Sequence, residues 1–247
     1  MLQLRKSFVA TLAILLLFPL LLSPQSASAT ASSADKSNSK ASTKILYLTF
    51  DDGPTAHTDQ LLDILDQYKV KATFFMLGPH MEQYQKATKR IVKEGHGLGL
   101  HGVTHVPSKF YKNAYSGLKE MQQANESLNK VAGVKTSLVR TPYGSKPYLK
   151  PAYRNVLLAQ GGFHLWDWNV DSLDWKYKKD HQKVYNNVMQ QVHNVHKNGT
   201  TPVVLMHDQE ATLKVLPQVL KTLKAEGYQF EILTKNVQPV NFWNDKR

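Results

Sequence analysis

The adjacent carboxylates Asp51 and Asp52 and the imidazoles His101 and His105, four positions apart, are the residues of this sequence best suited to metal or hydrolytic chemistry. One carboxylate and two imidazoles suit Zn2+ or a similar borderline divalent ion. Three protein ligands leave a position open for water, the mark of a catalytic rather than a structural site. Such an ion lowers the pKa of its water and polarises a carbonyl. The second carboxylate is then free to act as a base. An arginine could hold it ionised, and a histidine on the far side could protonate a leaving amine. Together these are the parts needed to hydrolyse an amide or an ester. Each also has a plain structural reading when taken alone. Asp51-Asp52-Gly53-Pro54 is good turn sequence. The two histidines fit surface positions on a helix, Arg140 fits a structural ion pair, and Trp175 and His207 fit core packing.

Their common placement favours the chemical reading. From Ile45 onward, short apolar runs alternate with helical spacings. Strands are predicted over Ile45–Phe50, Ala72–Leu77, Gly97–Leu100, Ser137–Val139, Phe163–Val170, Val203–Met206 and Tyr228–Leu233. Helices are predicted from Leu61 to Tyr68 behind a Thr58 cap, over Met81–Glu94, from Leu118 to Val131, over Tyr148–Gln160, from Val184 to Val195 and over Leu213–Ala225. Asp51-Asp52 follows the first strand, His101 and His105 the third, Arg140-Thr141-Pro142-Tyr143-Gly144 the fourth, Asp171 and Asp174-Trp175 the fifth, and His207-Asp208 the sixth. In parallel α/β architectures these C-terminal strand ends gather on one face, where active sites are built. The alternation itself implies a parallel sheet with helices outside it. Seven or so such units would close into a barrel of triosephosphate-isomerase type or a distorted (β/α) relative of it, with an open doubly wound sheet as the alternative. No GxGxxG follows the first strand, which argues against a dinucleotide site.

The chain has 247 residues and no cysteine, so disulfides, thiolate ligands and a cysteine nucleophile are excluded. One domain is expected for this length. Residues 1–29 read as an export signal. Arg5 and Lys6 precede the apolar run Phe8 to Leu22, and Ala27-Ser28-Ala29 supplies a small-residue cleavage pattern. The run is shorter than the roughly 20 residues that comfortably span a bilayer. Cleavage and release to the cell wall or medium are therefore expected, with an uncleaved membrane anchor as the alternative. Residues 30–43 are rich in Ser, Ala and Lys and too polar to bury a core, so they read as a flexible linker ahead of a catalytic domain over 44–247. The net charge of +12 favours polyanionic partners. For an exported monomer, an anionic cell wall is the better candidate than nucleic acid. Trp175-Lys176-Tyr177-Lys178-Lys179 mixes bases and aromatics as a nucleic-acid stripe does, but it abuts the candidate site and reads as its basic rim.

At these residues the sequence resembles the polysaccharide deacetylases, the NodB-homology domain of carbohydrate esterase family four. The likeness runs from about Lys44 to Leu233. It is carried by Thr49-Phe50-Asp51-Asp52-Gly53-Pro54, His101-x-x-x-His105, Arg140-Thr141-Pro142-Tyr143-Gly144, Asp171-Ser172-Leu173-Asp174-Trp175 and Leu205-Met206-His207, in that order. The resemblance implies a distorted (β/α) barrel of the NodB-homology type and one divalent ion, Zn2+ or alternatively Co2+, on Asp52, His101 and His105. It implies Asp51 as general base, held and ionised by Arg140, and His207 as general acid, oriented by Asp174. The Tyr143 N–H would stabilise the oxyanion, and Trp175 and Leu205 would line the slot for the acetyl methyl. Two departures stand out: Gly102 occupies a position where the family usually carries Ser or Thr, and Val106 replaces a common proline. The remaining histidines (His57, His80, His96, His164, His181, His193, His196) match no catalytic motif and read as surface or packing residues. The implied reaction is N-deacetylation of a polysaccharide, foremost peptidoglycan N-acetylglucosamine. Chitooligosaccharide, acetylxylan and muramic acid residues are the alternatives. A non-catalytic wall-binding module on the same scaffold would have lost the base, a ligand or the acid, and all are present.

Overall fold

The computed structural model describes residues 43–247. The signal expected over 1–29 and all but the last residue of the linker expected over 30–43 lie outside the described residues. Strand β1 (Lys44–Asp51) is followed by α1 (Thr58–Gln67), β2 (Thr73–Met76), α2 (Gly78–Gln83), α3 (Gln85–Lys93), β3 (Gly97–Leu100), α4 (Pro107–Phe110) and α5 (Ser116–Ala132). Then come β4 (Leu138–Val139), α6 (Pro151–Asn155), a π-helical turn over Val156–Gln160, β5 (His164–Leu165), β6 (Val170–Asp171), α7 (Asp174–Tyr177), α8 (His181–Lys197), β7 (Val203–His207), α9 (Glu210–Ala225) and β8 (Tyr228–Glu231). Among the described residues no helix is long and apolar enough to cross a membrane.

All strand pairs are parallel. Seven strands follow the order β5-β4-β3-β2-β1-β7-β6, and β8 pairs with the first half of β1. The end strands β5 and β6 sit at opposite edges of this path, yet only residues 166–169 join them. That link spans at most roughly 18 Å. The sheet must therefore curl until its edges nearly meet, giving a distorted barrel that stays open between β5 and β6.

Side chains alternate across a strand with period two, and here the two sets belong to different cores. Leu46, Leu48, Phe50, Phe74, Met76, Leu100, Val139, Val204 and Met206 pack outward against Leu61, Leu65, Ile91, Met121, Leu128, Val188 and Leu216 of the surrounding helices. Each such fully buried side chain stabilises the fold by about 1.5–3 kcal/mol. The opposite set, Tyr47, Phe75, Leu138, Trp166 and Val203, fills the lumen with Leu233. Inward positions one step further along these strands carry Asp51, His101, Arg140, Leu205 and His207, so the lumen is apolar below and reactive above. β3 can enter this crowded face only as glycine. A Cβ on Gly97 would lie 2.4 Å from Thr73 Oγ1, and one on Gly99 would lie 2.3 Å from the Phe75 ring.

Three local expectations are corrected. The strand expected over Phe163–Val170 is two short strands on opposite edges, because residues 166–169 cross the opening. Trp166 drops into the lumen there, and the Asp167 N–H donates to the Val240 carbonyl (2.8 Å). The helix expected over Met81–Glu94 starts earlier, at Gly78, and breaks at Tyr84, where ψ turns to 53°. Thr58 is the first residue of α1 rather than its cap; its hydroxyl donates to Asp208 Oδ2 (2.5 Å).

The lumen packing makes a direct expectation. Gly99→Ala should destabilise the protein by about 1–3 kcal/mol through overpacking against Phe75, read as a lowered midpoint of urea denaturation.

Candidate active site

Asp51 ends β1 with its side chain in the lumen, 3% exposed. Arg140, one residue past β4, is wholly buried beneath it. The guanidinium donates to Asp51 Oδ1 (2.8 Å), Thr49 Oγ1 (2.7 Å) and the Asp167 carbonyl (2.9 Å), and its carbon lies 4.2 Å from the centre of the Phe75 ring. Burial pushes the Asp51 carboxyl above the usual carboxylate range, against the pull of Arg140, so it is a better proton acceptor than an ordinary aspartate. Its Oδ2 lies 3.8 Å from His101 Nε2.

Asp52 leaves the strand with φ of 70°, and its side chain parts from that of Asp51. Its Oδ1 lies 3.5 Å from His101 Nε2 and 3.4 Å from His105 Nε2. Donor atoms of these three residues all lie within 4.8 Å of one another. Asp52 Oδ1 is buried with no hydrogen-bond partner, an arrangement that a divalent cation would satisfy. Burial holds the His101 ring neutral, with its pKa lowered to about 3. Its Nδ1–H donates to the Arg140 carbonyl (2.7 Å), which leaves the Nε2 lone pair facing Asp52. The donor set therefore fits a metal of the zinc type.

Across the cavity, β7 ends in His207. Its Nδ1–H donates to Asp174 Oδ1 (2.7 Å), and its backbone N–H donates to Asp174 Oδ2 (2.8 Å). Asp174 is wholly buried at the start of α7 and also accepts from the Thr212 hydroxyl (2.6 Å) and the Trp175 N–H (2.7 Å). Burial alone would lower the His207 pKa, but the Asp174 carboxylate outweighs it and the value is raised to about 9. The same pair, again against burial, lowers Asp174. His207 is thus protonated at neutral pH.

A cavity of about 400 Å3 is lined by Asp51, Asp52, His101, His105, Tyr143, Trp175, Leu205 and His207. Every reactive residue expected from the sequence is therefore brought together, with Arg140 and Asp174 just behind the wall. The Tyr143 ring sits 4.7 Å from that of His105, and Trp175 is 49% exposed at the rim. Asp52, His105, Tyr143 and Leu173 all have positive φ, a strained backbone for residues with a Cβ and common at functional sites.

Several supporting residues have roles that the sequence alone does not assign. His80, expected as surface or packing, donates from Nδ1 to the Asp52 carbonyl (2.7 Å). Asp208 accepts from the hydroxyls of Thr55 (2.9 Å) and Thr58, pinning the turn after Asp52; a Cβ on Gly53 would strike its Oδ2 at 2.6 Å. Asp167 accepts from Ser145 N (2.8 Å), Ser145 Oγ (2.5 Å) and Phe242 N (2.8 Å), tying the Tyr143 loop to the C-terminal segment. Glu120 accepts from the histidine loop. The one sequence signal for Glu120 was an acid inside the buried stripe of α5, between Gly117 and Met121.

Comparison with known proteins agrees with this geometry. The polysaccharide deacetylase family model matches residues 38–160. The chain is 50% identical over 201 residues to the putative polysaccharide deacetylase YheN of Bacillus subtilis, covering 80% of this chain and 70% of that protein. It is 42% identical over 208 residues to a peptidoglycan-N-acetylglucosamine deacetylase of Bacillus cereus, covering 83% and 75%. The crystal structure of the polysaccharide deacetylase Bc1974 from Bacillus cereus superposes with a TM-score of 0.74 at 41% identity, covering 82% of this chain and 98% of that one. The chain belongs to the polysaccharide deacetylase family.

The raised pKa of His207 has a sign that can be checked. Its pair with Asp174 contributes stability that is complete below the ordinary value of 6.5 and is lost as the pH rises through about 9. Asp174→Asn should flatten this loss between pH 6.5 and 9 in urea-unfolding curves, whereas an unchanged profile would mean that the pair does not set the charge of His207.

Proposed function

We propose that this protein hydrolyses the N-acetyl groups of N-acetylglucosamine units in peptidoglycan, releasing acetate and leaving a free amine on the polymer. The observation that carries this reading is one cavity that holds the buried, Arg140-bound Asp51 at the end of β1, the Asp174-bound His207 at the paired position of β7, and the cluster of Asp52, His101 and His105. The names of the B. cereus relatives support peptidoglycan as the polymer, as do the basic charge and the export-like N-terminus. The charge also argues for peptidoglycan over a neutral chitooligosaccharide.

A divalent ion, taken here as Zn2+, would be held by Asp52, His101 and His105 and would supply an acidified water and a polarised acetyl carbonyl. Asp51 Oδ1 is pinned by Arg140, which leaves Oδ2 to take a proton from the attacking water. The water oxygen bonds to the acetyl carbon while the Tyr143 N–H donates to the developing oxyanion. Asp174 fixes the ring of His207, whose Nε2–H protonates the departing glucosamine nitrogen as the C–N bond breaks. Trp175 and Leu205 bound the space for the acetyl methyl. In this account the protein acts as a monomer exported to the cell wall, with residues 44–247 as its catalytic domain.

Acetate release from peptidoglycan, N-acetylchitooligosaccharide and acetylxylan, before and after chelation and with Zn2+ or Co2+ added back, tests the proposal. Chelation should abolish release and metal should restore it, with peptidoglycan the preferred polymer; activity indifferent to a chelator would remove the metal. Asp51→Asn should keep its metal while losing roughly 100- to 10,000-fold in turnover, the range of a general base. Turnover at the wild-type rate in that variant would exclude Asp51 as the base.

A further inference from the structure

Gly102 follows the first histidine of the pair and has φ of +92°. The space that a side chain at this position would enter is already filled. An added Cβ would lie 3.1 Å from Glu120 Oε2 and 3.1 Å from the Phe110 ring. Glu120 projects from α5 and is 7% exposed. It has no Lys or Arg partner among the described residues. A carboxylate so buried is tolerated only when donors saturate it, and all three of its donors come from the loop between the histidines. Oε2 accepts from the N–H groups of Val103 (2.9 Å) and Thr104 (2.9 Å), and Oε1 accepts from the Thr104 hydroxyl (2.7 Å). The next residue is His105, held at φ of +50° with Nε2 3.4 Å from Asp52 Oδ1.

We propose that Glu120 is a positioning residue for the metal site, fixing residues 103 and 104 so that His105 is turned toward Asp52. This rests on reading Asp52, His101 and His105 as metal ligands. Glu120 thus holds from outside the loop the two residues that lead into His105. Gly102 is then a requirement of this arrangement and not a lost function, because its positive φ and missing Cβ make room for the carboxylate. Glutamine at 120 would keep an oxygen acceptor for the two N–H groups and an amide to face the Thr104 hydroxyl. Alanine would leave all three donors without a partner.

The test measures Zn2+ affinity of the full chain by competition with a chromophoric chelator, together with the Co2+ absorption spectrum and the thermal unfolding of the metal-free protein. Glu120→Ala should weaken Zn2+ binding about 10- to 100-fold and alter the Co2+ spectrum, while Glu120→Gln stays within about threefold of wild type. Thr104→Val, which removes one donor without touching α5, should weaken binding in the same direction. Gly102→Ser should weaken binding too, although it restores the family's residue. Should Glu120→Ala fail to fold, Thr104→Val and Gly102→Ser decide the matter. Unchanged affinity in Glu120→Ala or Thr104→Val, or tighter binding in Gly102→Ser, overturns the proposal. A wild-type protein that binds no Zn2+ instead overturns the metal reading beneath it.

Discussion

The Arg140–Asp51 pair lies in the lumen of the barrel, with Arg140 wholly buried and Asp51 only 3% exposed at the floor of the cavity. Removing one partner of such a pair leaves an uncompensated buried charge, a loss of about 3–5 kcal/mol. Most of the surrounding structure serves to complete it. Thr49 on β1 and the carbonyls of Trp166 and Asp167 on the crossing link accept three of the other four guanidinium N–H groups, and Phe75 on β2 supplies a ring beneath it. One side chain therefore joins β1, β2, β4 and the link that spans the opening. The Arg140 carbonyl also sets the tautomer of His101, so the same residue governs the proposed proton acceptor and a candidate metal ligand. A buried ion pair is weak evidence for stability; in the proposed reaction it holds one carboxylate ready in a place that water would not favour.

Adjacent identical residues end in different environments because the strand stops between them. Asp51 keeps the alternation of β1 and points into the lumen; Asp52 takes φ of 70° and turns toward the histidines. That turn is supported from several directions, by His80 on the Asp52 carbonyl and by Asp208 with Thr55 and Thr58 on the residues that follow. Strain at Asp52, His105, Tyr143 and Leu173 is concentrated on the rim, above a lumen packed with Tyr47, Phe75, Leu138 and Trp166. The packed lower layer gives these loops a rigid base, and preorganised groups need no rearrangement when charge develops.

Much of the fold was legible because apolar periodicity reports which residues face a core. The strands that carry the site were placed closely, since Leu46, Leu48 and Phe50 and their counterparts are buried on the outer face. The run Phe163–Val170 misled because continuous apolar residues read as one strand, while its actual course depends on a gap between β5 and β6 that no local pattern records. The roles of His80, Glu120, Asp167 and Asp208 were not legible for a related reason. Each acts on a segment distant in sequence or on backbone atoms, and neither leaves a motif.

The sequence by itself determined the alternation of strands and helices, the reactive side chains and their position at strand ends, because periodicity and chemical type are local properties. Only the tertiary structure decided that the barrel stays open, that Asp51 and Asp52 part, that the pKa of His207 rises to about 9, and that Glu120 fills the space beside Gly102. Burial, distance and electric field belong to residues brought together from remote parts of the chain, and these set the protonation and aim of groups whose identities were already written.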